Sequence, residues 1–323
     1  MTTHLLPPRL TTTSATQAGV FTTAQALDAG LDRYELVRLT NRGVLHRVRR
    51  GSYAVAADWL AATPDEQHVL TARAVLLGLR APCVLSHTSA VAVRGLRQHG
   101  LVGDTVHVTH DVGTGSSRRE AGVTHHIAQL PGTDRSMARG LPTTTDARTA
   151  IDVARTQPLS AAVVVADDVL SRGTSADDLR LALFDAHDHP GARSAGRAIA
   201  LADGRSESVG ETLGRIAFHA VHLPPDALQM SVLTDRGPMR TDYAWTQWRI
   251  VGEFDGLVKY GRLLKPGETA SDVLVKERQR ELAIERAGWG VVRFTWAELF
   301  DHELLRSRLL QAVRRSRALG LAS

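Results

Sequence analysis

A single cysteine, three lysines and the absence of any long apolar run set the first limits on this 323-residue chain. One cysteine, Cys83, excludes an internal disulfide framework and any thiolate zinc cluster, and it fits a reducing compartment. No stretch of roughly 18 or more apolar residues occurs, so no membrane-spanning helix is expected. The N-terminus, MTTHLLPPRL, lacks the basic start and apolar core of a signal peptide, and a cytoplasmic protein is expected. With 43% hydrophobic and 23% charged residues the composition is that of a globular protein, which excludes a disordered or collagen-like chain. The length suggests about two or three domains.

What is present is arginine. Basic residues number 39 against 34 acidic ones, a formal charge of +5, and they cluster locally, which makes nucleic acid a candidate partner. All three lysines, Lys259, Lys265 and Lys276, fall within one short segment. Lysine is a compact point charge whose proton can be shifted, unlike arginine, so that segment is marked for chemistry.

Residues 1–58 read as a winged helix-turn-helix. Thr22 or Thr23 caps a short helix that Gly30 ends, and Asp32 caps a second helix that runs to about Asn41, with Tyr34, Leu36, Val37 and Leu39 as apolar positions. Gly43 stops that helix, and residues 44–53 alternate as two strands around a glycine turn. Arg33, Arg38, Arg42, Arg47, Arg49 and Arg50 stand here against only Asp32 and Glu35. A second helix in the major groove with a basic wing on the phosphates would bind double-stranded DNA.

Residues 59–200 read as a mixed α/β middle domain. Helices are expected from Pro64 to Leu79, from Ser86 to Leu96, and near 146–156 and 159–171. Strands are expected at Val106–Thr109 and Val123–His126, with a turn at 113–119 between them, and residues 185–191 read as a loop. The histidines at 107, 110, 125 and 126 raise the question of zinc. Without cysteine or a helix-borne His-Glu pair they read instead as strand residues on a polar face.

Residues 201–323 form the third part: a helix from Ser206–Ser208 to about Ala220, strands over 239–245 and 248–255, a helix over 272–287, a strand over 291–294, and a last helix opened by the capping box Thr295-x-x-Glu298. Glu211 on the first helix, Asp242 on the first strand, and Glu253 with Asp255 on the second place carboxylates toward one another, because strand residues i and i+2 share a face. Clustered carboxylates repel and invite a bound cation, and oxygen-only ligands suit Mg²⁺ or Mn²⁺. Asp242, Glu253 and Asp255 are the candidate metal ligands. Such an ion activates water against a phosphodiester, with Lys259 or Lys276 to neutralise the developing charge. Each residue also has a plainer reading: Glu211 in a capping box with Ser208, Asp255-Gly256 as a turn pair, and Asp242 as a partner of Arg240 or Arg293.

The phrases Arg240-Thr241-Asp242-Tyr243-Ala244-Trp245, Glu253-Phe254-Asp255-Gly256 and Gly288-Trp289-x-Val291-Val292-Arg293-Phe294-Thr295 resemble the PD-(D/E)xK nuclease superfamily, in its very-short-patch-repair-like branch, and Ser206-Glu207-Ser208…Glu211 resembles its opening helix. Gly19-Val20-Phe21-Thr22, Gly43-Val44-Leu45 and Arg49-Arg50-Gly51-Ser52-Tyr53 resemble the winged-helix domain of AbiEi-type antitoxins of type IV toxin–antitoxin systems. Ser86-His87-Thr88-Ser89-Ala90 and Arg148-Thr149-Ala150-Ile151-Asp152 extend the likeness into the middle. The resemblance implies a mixed α/β protein with a C-terminal nuclease-like domain, a cognate toxin as partner, and a role in phage defence or toxin–antitoxin regulation; whether it self-associates is left open. The departure is Asp255, which stands where the nuclease motif has lysine. Hence two expectations: a DNA-binding antitoxin-type regulator, or an active Mg²⁺-dependent DNA endonuclease in which Glu211, Asp242, Glu253, Asp255, Lys259 and Lys276 take part.

Overall fold

Short polar residues mark the helix starts of the N-terminal segment in the computed structural model, which describes residues 6–111, 116–256 and 270–318, without the side chains of 270 and 272–274. Helix α2 (Thr23–Asp28) opens on a capping box: Thr22 Oγ1 accepts from the Gln25 amide at 3.2 Å, and Gln25 Oε1 accepts from the Thr22 amide at 2.9 Å. Helix α3 (Arg33–Asn41) repeats the device with Asp32 and Glu35, at 2.7 and 3.0 Å. Gly30 and Gly43 end the two helices at φ +98° and +69°, a region that a Cβ disfavours. Strands β2 (Leu45–Arg49) and β3 (Ser52–Val55) form the expected hairpin. Two elements were not expected from sequence: α1 (Pro8–Thr16), with proline in its first turn, and β1 (Val20–Thr22), which pairs with β3 to give the order β1-β3-β2. Leu10, Phe21, Ala26, Leu36, Leu39 and Leu45 form the core beneath them.

The chain is mixed α and β and groups into two units, Met1–Pro158 with Thr174–Gly196, and Leu159–Gly173 with Arg197–Ser323. Among the described residues no helix is long and apolar enough to cross a membrane.

The first unit continues through α4 (Ala56–Ala61) and α5 (Pro64–Gly78) into a six-stranded sheet of order β6-β7-β5-β4-β9-β8. Its strands are β4 (Val84–Leu85), β5 (Val106–Asp111), β6 (Arg118–Glu120), β7 (Val123–Ala128), β8 (Arg135–Ala138) and β9 (Leu141–Thr144), with α6 (His87–Arg94), α7 (Asp146–Thr156) and α9 (Ala176–Asp185) in the same unit. Strand β6 occupies part of the stretch expected as a turn at 113–119, and it pairs antiparallel with β7. Ser86 takes the N-cap position of α6, but its hydroxyl makes no capping bond and turns to His87 and Thr109. Helix α10 spans Ala192–Leu201.

In the second unit, α8 (Leu159–Ser171) joins α11 (Val209–Ala220) through a buried carboxylate. Asp167 is fully buried; it accepts from Thr212 Oγ1 at 2.7 Å and from the Asp203 amide at 2.7 Å, and pairs with Arg215 at 2.6 Å. The four-stranded sheet has the order β10 (Ala227–Thr234), β11 (Gly237–Trp245), β12 (Ile250–Asp255), β13 (Gly290–Thr295). The first three strands run antiparallel and β13 parallel to β12. Helix α12 (Ala270–Arg286) lies between those last two strands in sequence. Strand β10 was not expected. The box Thr295-x-x-Glu298 heads a four-residue helix, α13 (Trp296–Leu299), and the last helix, α14 (His302–Ala318), starts separately, with Asp301 accepting from the Leu304 amide at 3.0 Å.

One sheet face carries Tyr243, Trp245, Ile250 and Phe294 in a core with Phe218 of α11 and with Leu305 and Leu309 of α14; Phe218 meets Tyr243, Trp245 and Phe294 edge-on at 4.8–5.2 Å. The other face carries Ala244 and Val251 in a cluster with Ile284 of α12. Helix α11 lies close on the sheet because two of its residues have no side chain. A Cβ at Gly210 would run into the Phe254 ring, and one at Gly214 into the Tyr243 hydroxyl. That hydroxyl donates to the Glu211 carbonyl at 2.9 Å. Gly210→Ala is therefore expected to cost about 1–3 kcal/mol, read as a lower urea midpoint at unchanged m-value; an unchanged midpoint would mean that helix and sheet separate without penalty.

Candidate functional site

Burial decides what α3 offers. Leu36 and Leu39 face the core, so Arg33, Tyr34, Val37, Arg38, Asn41 and Arg42 face outward. Tyr34 and Val37, expected from sequence as apolar packing positions, are 76% and 56% exposed. Their spacing carried the signal: 34, 37, 38 and 41 share one helix face, opposite 36 and 39. The hairpin adds exposed Arg47 and Arg50, and half-buried Arg49. Glu35 bonds to the Asp32 amide and stands 3.9 Å from Arg38, which leaves the surface strongly positive. An outward helix of arginines with a tyrosine and a valine, followed by a basic hairpin, suits duplex DNA. Arginines engage phosphates or guanine edges, and apolar side chains contact thymine methyls.

The carboxylates of the second unit are drawn together in part. On β12, Glu253 and Asp255 share the face that Val251 takes toward α12, as their i, i+2 spacing requires. Glu253 is buried between two arginines: Arg280 Nη1 of α12 stands 2.7 Å from Oε1, and Arg293 Nη2 of β13 stands 3.5 Å from Oε2. Glu277 closes the network at 2.6 Å from Arg293. The Arg280–Glu253 contact is an ion pair without hydrogen-bond alignment, so Oε1 is a buried acceptor with no donor aimed at it. Asp242 accepts from the Phe254 amide at 2.7 Å. Glu211 uses both oxygens: the Glu207 amide at 2.8 Å, Ser208 Oγ at 2.7 Å and Gln229 Nε2 at 2.8 Å. The Ser208 hydroxyl caps α11 as expected. The Glu211 carboxylate, however, returns to the amide of Glu207, one residue short of a capping box. Gln229 holds its position at φ +52° in β10, strain of order 1–3 kcal/mol in a residue with a Cβ. Asp255 is half-buried at the end of β12. Lys276 is exposed on α12, and Lys259 lies outside the described residues. Arg240 pairs with Glu207 at 2.6 Å.

Burial raises the pKa of Glu211, countered by its bonds from Glu207 and Ser208, and Asp242 and Glu207 raise it further. Burial likewise raises Glu253, against Arg280 and Arg293, with Glu277 and Asp242 adding to the rise. Asp242 thus acts electrostatically on both glutamates. The donor set is all oxygen and suits a hard cation. The arrangement does not: protein donors and arginines hold these carboxylates, and among the described residues no three of the acids bring their oxygens within 4.8 Å of one another. Glu277 and Gln229 are the members that sequence reading missed; Arg293, expected as a partner of Asp242, pairs with Glu253 and Glu277, and Arg280 shares a helix face with Lys276 at i, i+4 and reaches Glu253.

Residues 8–56 match the family described as "Transcriptional regulator, AbiEi antitoxin". Two curated relatives, the uncharacterized proteins Rv2248 and MT2308 of Mycobacterium tuberculosis, are 27% identical over 264 residues, which is 81% of this chain and 89% of theirs. Among solved structures, the RV2827C protein of the same organism aligns at 17% identity over 59% of this chain and 75% of its own, with a TM-score of 0.39. The family match covers the helix-turn-helix and hairpin described above. It does not reach the C-terminal sheet.

The histidines do not sit on one polar face. Strand register puts His107 and His126 on one side of the sheet and His110 and His125 on the other. Burial lowers the pKa of His107 to about 4, helped by His68 and Arg119 and opposed by Asp152. Burial lowers His126 to about 3, with His87, His107 and Arg155 adding to the drop and Asp152 opposing it. Unfolded, such rings titrate near 6.5. Their contribution to stability is therefore complete above about pH 6.5 and is lost as pH falls toward about 4 for His107 and about 3 for His126, by up to about 1.4 kcal/mol per pH unit for each ring. Denaturation midpoints across that range are expected to show this slope, and His126→Gln should flatten it.

Proposed function

We propose that this protein is a regulator of the antitoxin type that binds double-stranded DNA through α3 and the β2–β3 hairpin, in phage defence or toxin–antitoxin regulation. The observation that carries this reading is the outward face of α3, where Arg33, Tyr34, Val37, Arg38 and Arg42 stand beside Arg47 and Arg50 of the hairpin. The match of residues 8–56 to an antitoxin regulator family supports it, and the family's name adds a cognate toxin as a second partner.

The helix and the hairpin have separable duties. Hairpin arginines on phosphates carry no sequence information, whereas helix side chains reach base edges. Arg47→Ala and Arg50→Ala are expected to weaken binding to specific and random duplex alike, each lowering the salt slope by about 1. Tyr34→Ala and Arg38→Ala are expected to cost about 1–3 kcal/mol on the operator and little on random duplex. Fluorescence anisotropy on promoter and scrambled duplexes over a salt series checks both. Equal loss on both duplexes for the helix variants would show that α3 does not read bases.

A second reading, an endonuclease dependent on Mg²⁺ or Mn²⁺, is favoured by two observations: Asp242 acts on both Glu211 and Glu253, and Glu253 Oε1 is a buried acceptor without an aligned donor. Asp242, Glu253 and Asp255 would hold the ion, which would supply an activated water, and Lys276 or Lys259 would supply positive charge. Set against it are the arginines that already neutralise Glu253. Calorimetric titration of Mn²⁺ and Mg²⁺ into the protein and into the Asp242→Ala/Glu253→Ala double variant separates the two readings. Heat that vanishes in the variant, together with duplex cleavage, supports the nuclease; equal heats without cleavage leave the regulator.

A further inference from the structure

The buried imidazoles of the first unit form a cluster that the DNA-binding reading leaves unused. Among the described residues, His87, His107 and His126 make the one group of three metal-ligating side chains whose ligand atoms all lie within 4.8 Å of one another. They come from three separate elements: His107 from β5, His126 from the neighbouring parallel strand β7, and His87 from the start of α6. His107 Nδ1 stands 2.9 Å from His126 Nε2, and the His87 ring stacks on His126 at 3.8 Å between centroids. His87 is 3% exposed; the other two are half-buried, which leaves them within reach of solvent.

Two further features distinguish this cluster from packed aromatic filler. His87 takes φ +51°, a left-handed conformation that costs a residue with a Cβ of order 1–3 kcal/mol and that persists where surroundings impose it. Two of the far nitrogens are also held. His87 Nδ1 is 2.9 Å from Ser86 Oγ, which itself accepts from Thr109 Oγ1 at 2.7 Å, and His107 Nε2 is 3.3 Å from Thr105 Oγ1. Hydroxyls on the outer nitrogens of His87 and His107 occupy the positions that the outer partners of metal-bound histidines take. That leaves His107 Nδ1 and His126 Nε2 facing each other, with a ring nitrogen of His87 within 4.8 Å of the others.

We propose that His87, His107 and His126 form a three-imidazole site for Zn²⁺, completed by solvent. Imidazole suits borderline divalent ions, whereas Mg²⁺ and Ca²⁺ require oxygen. Zn–N bonds of about 2.0–2.1 Å put tetrahedral ligand nitrogens about 3.3 Å apart. The ion takes the place of the proton shared by His107 and His126, and rotation of His87 closes the third bond. Bound metal ties the start of α6 to β5 and β7, and so stabilises the first unit by mass action. The site does not depend on the DNA-binding reading.

The test uses the full chain, free of any affinity tag and stripped with a chelator. Zn²⁺ is titrated against a competing chelator with melting temperature followed in parallel, and Co²⁺ is added as a visible-absorption probe. One equivalent of Zn²⁺, a raised melting temperature and the intense bands of tetrahedral cobalt are expected. His107→Gln and His126→Gln should weaken Zn²⁺ binding more than about 100-fold, Ser86→Ala by about 10–100-fold, and His110→Gln, on the opposite sheet face, not at all. Absence of the equivalent in the unmodified chain overturns the proposal, as does its retention in both glutamine variants. Should those variants fail to fold, the cobalt spectrum of the unmodified chain decides: octahedral, weakly absorbing cobalt overturns the site and tetrahedral cobalt supports it.

Discussion

The second unit depends on how closely α11 lies on its sheet. Gly210 and Gly214, one turn apart, leave no Cβ between the helix and Phe254 and Tyr243. The Tyr243 hydroxyl then reaches the Glu211 carbonyl, and the edge-on rings of Phe218, Tyr243, Trp245 and Phe294 fill the space below. From this contact follows the position of Glu211 at the start of the helix, where its carboxylate meets Gln229 of β10 and acts on Asp242. A larger residue at either glycine would move that carboxylate away from the strands, so packing and site geometry rest on the same two positions.

The preference for arginine over lysine has a structural counterpart. Buried carboxylates need partners that remain charged and that donate in several directions. Arg215 serves Asp167 in this way, Arg148 serves Asp152 and Asp134, and Arg280 with Arg293 serves Glu253. A basic composition therefore means different things in different parts of the chain. In the second unit much of the positive charge neutralises internal acids. On α3 and the β2–β3 hairpin it faces outward and is available to phosphates.

The histidine cluster and the carboxylate cluster contrast in the same terms. The carboxylates were conspicuous in sequence, yet in the folded chain they accept from backbone amides, a serine and a glutamine, and Glu253 is ion-paired with two arginines. The imidazoles drew less notice, yet hydroxyls hold the outer nitrogens of His87 and His107, and the three rings bring ligand nitrogens within 4.8 Å of one another. Donor type alone does not make a site; what matters is which lone pairs the rest of the fold leaves available.

Local chemistry was legible in the sequence wherever a few neighbouring residues decide the outcome. The capping residues Thr22 and Asp32, the stops at Gly30 and Gly43, the hairpin after them and the order of helix and strands around Asp242 and Glu253 all follow from short-range rules of capping, turn and alternation. The outward arginines of α3 and of the hairpin belong to this class. Tertiary structure alone decided the rest. Strand β10 and the pairing of β1 with β3 depend on distant partners. The arginines on Glu253 arrive from α12 and β13, and His87 joins His107 and His126 only because β4 is hydrogen-bonded to β5 in the sheet. Burial and long-range pairing set these positions, and neither is encoded in the spacing of adjacent residues.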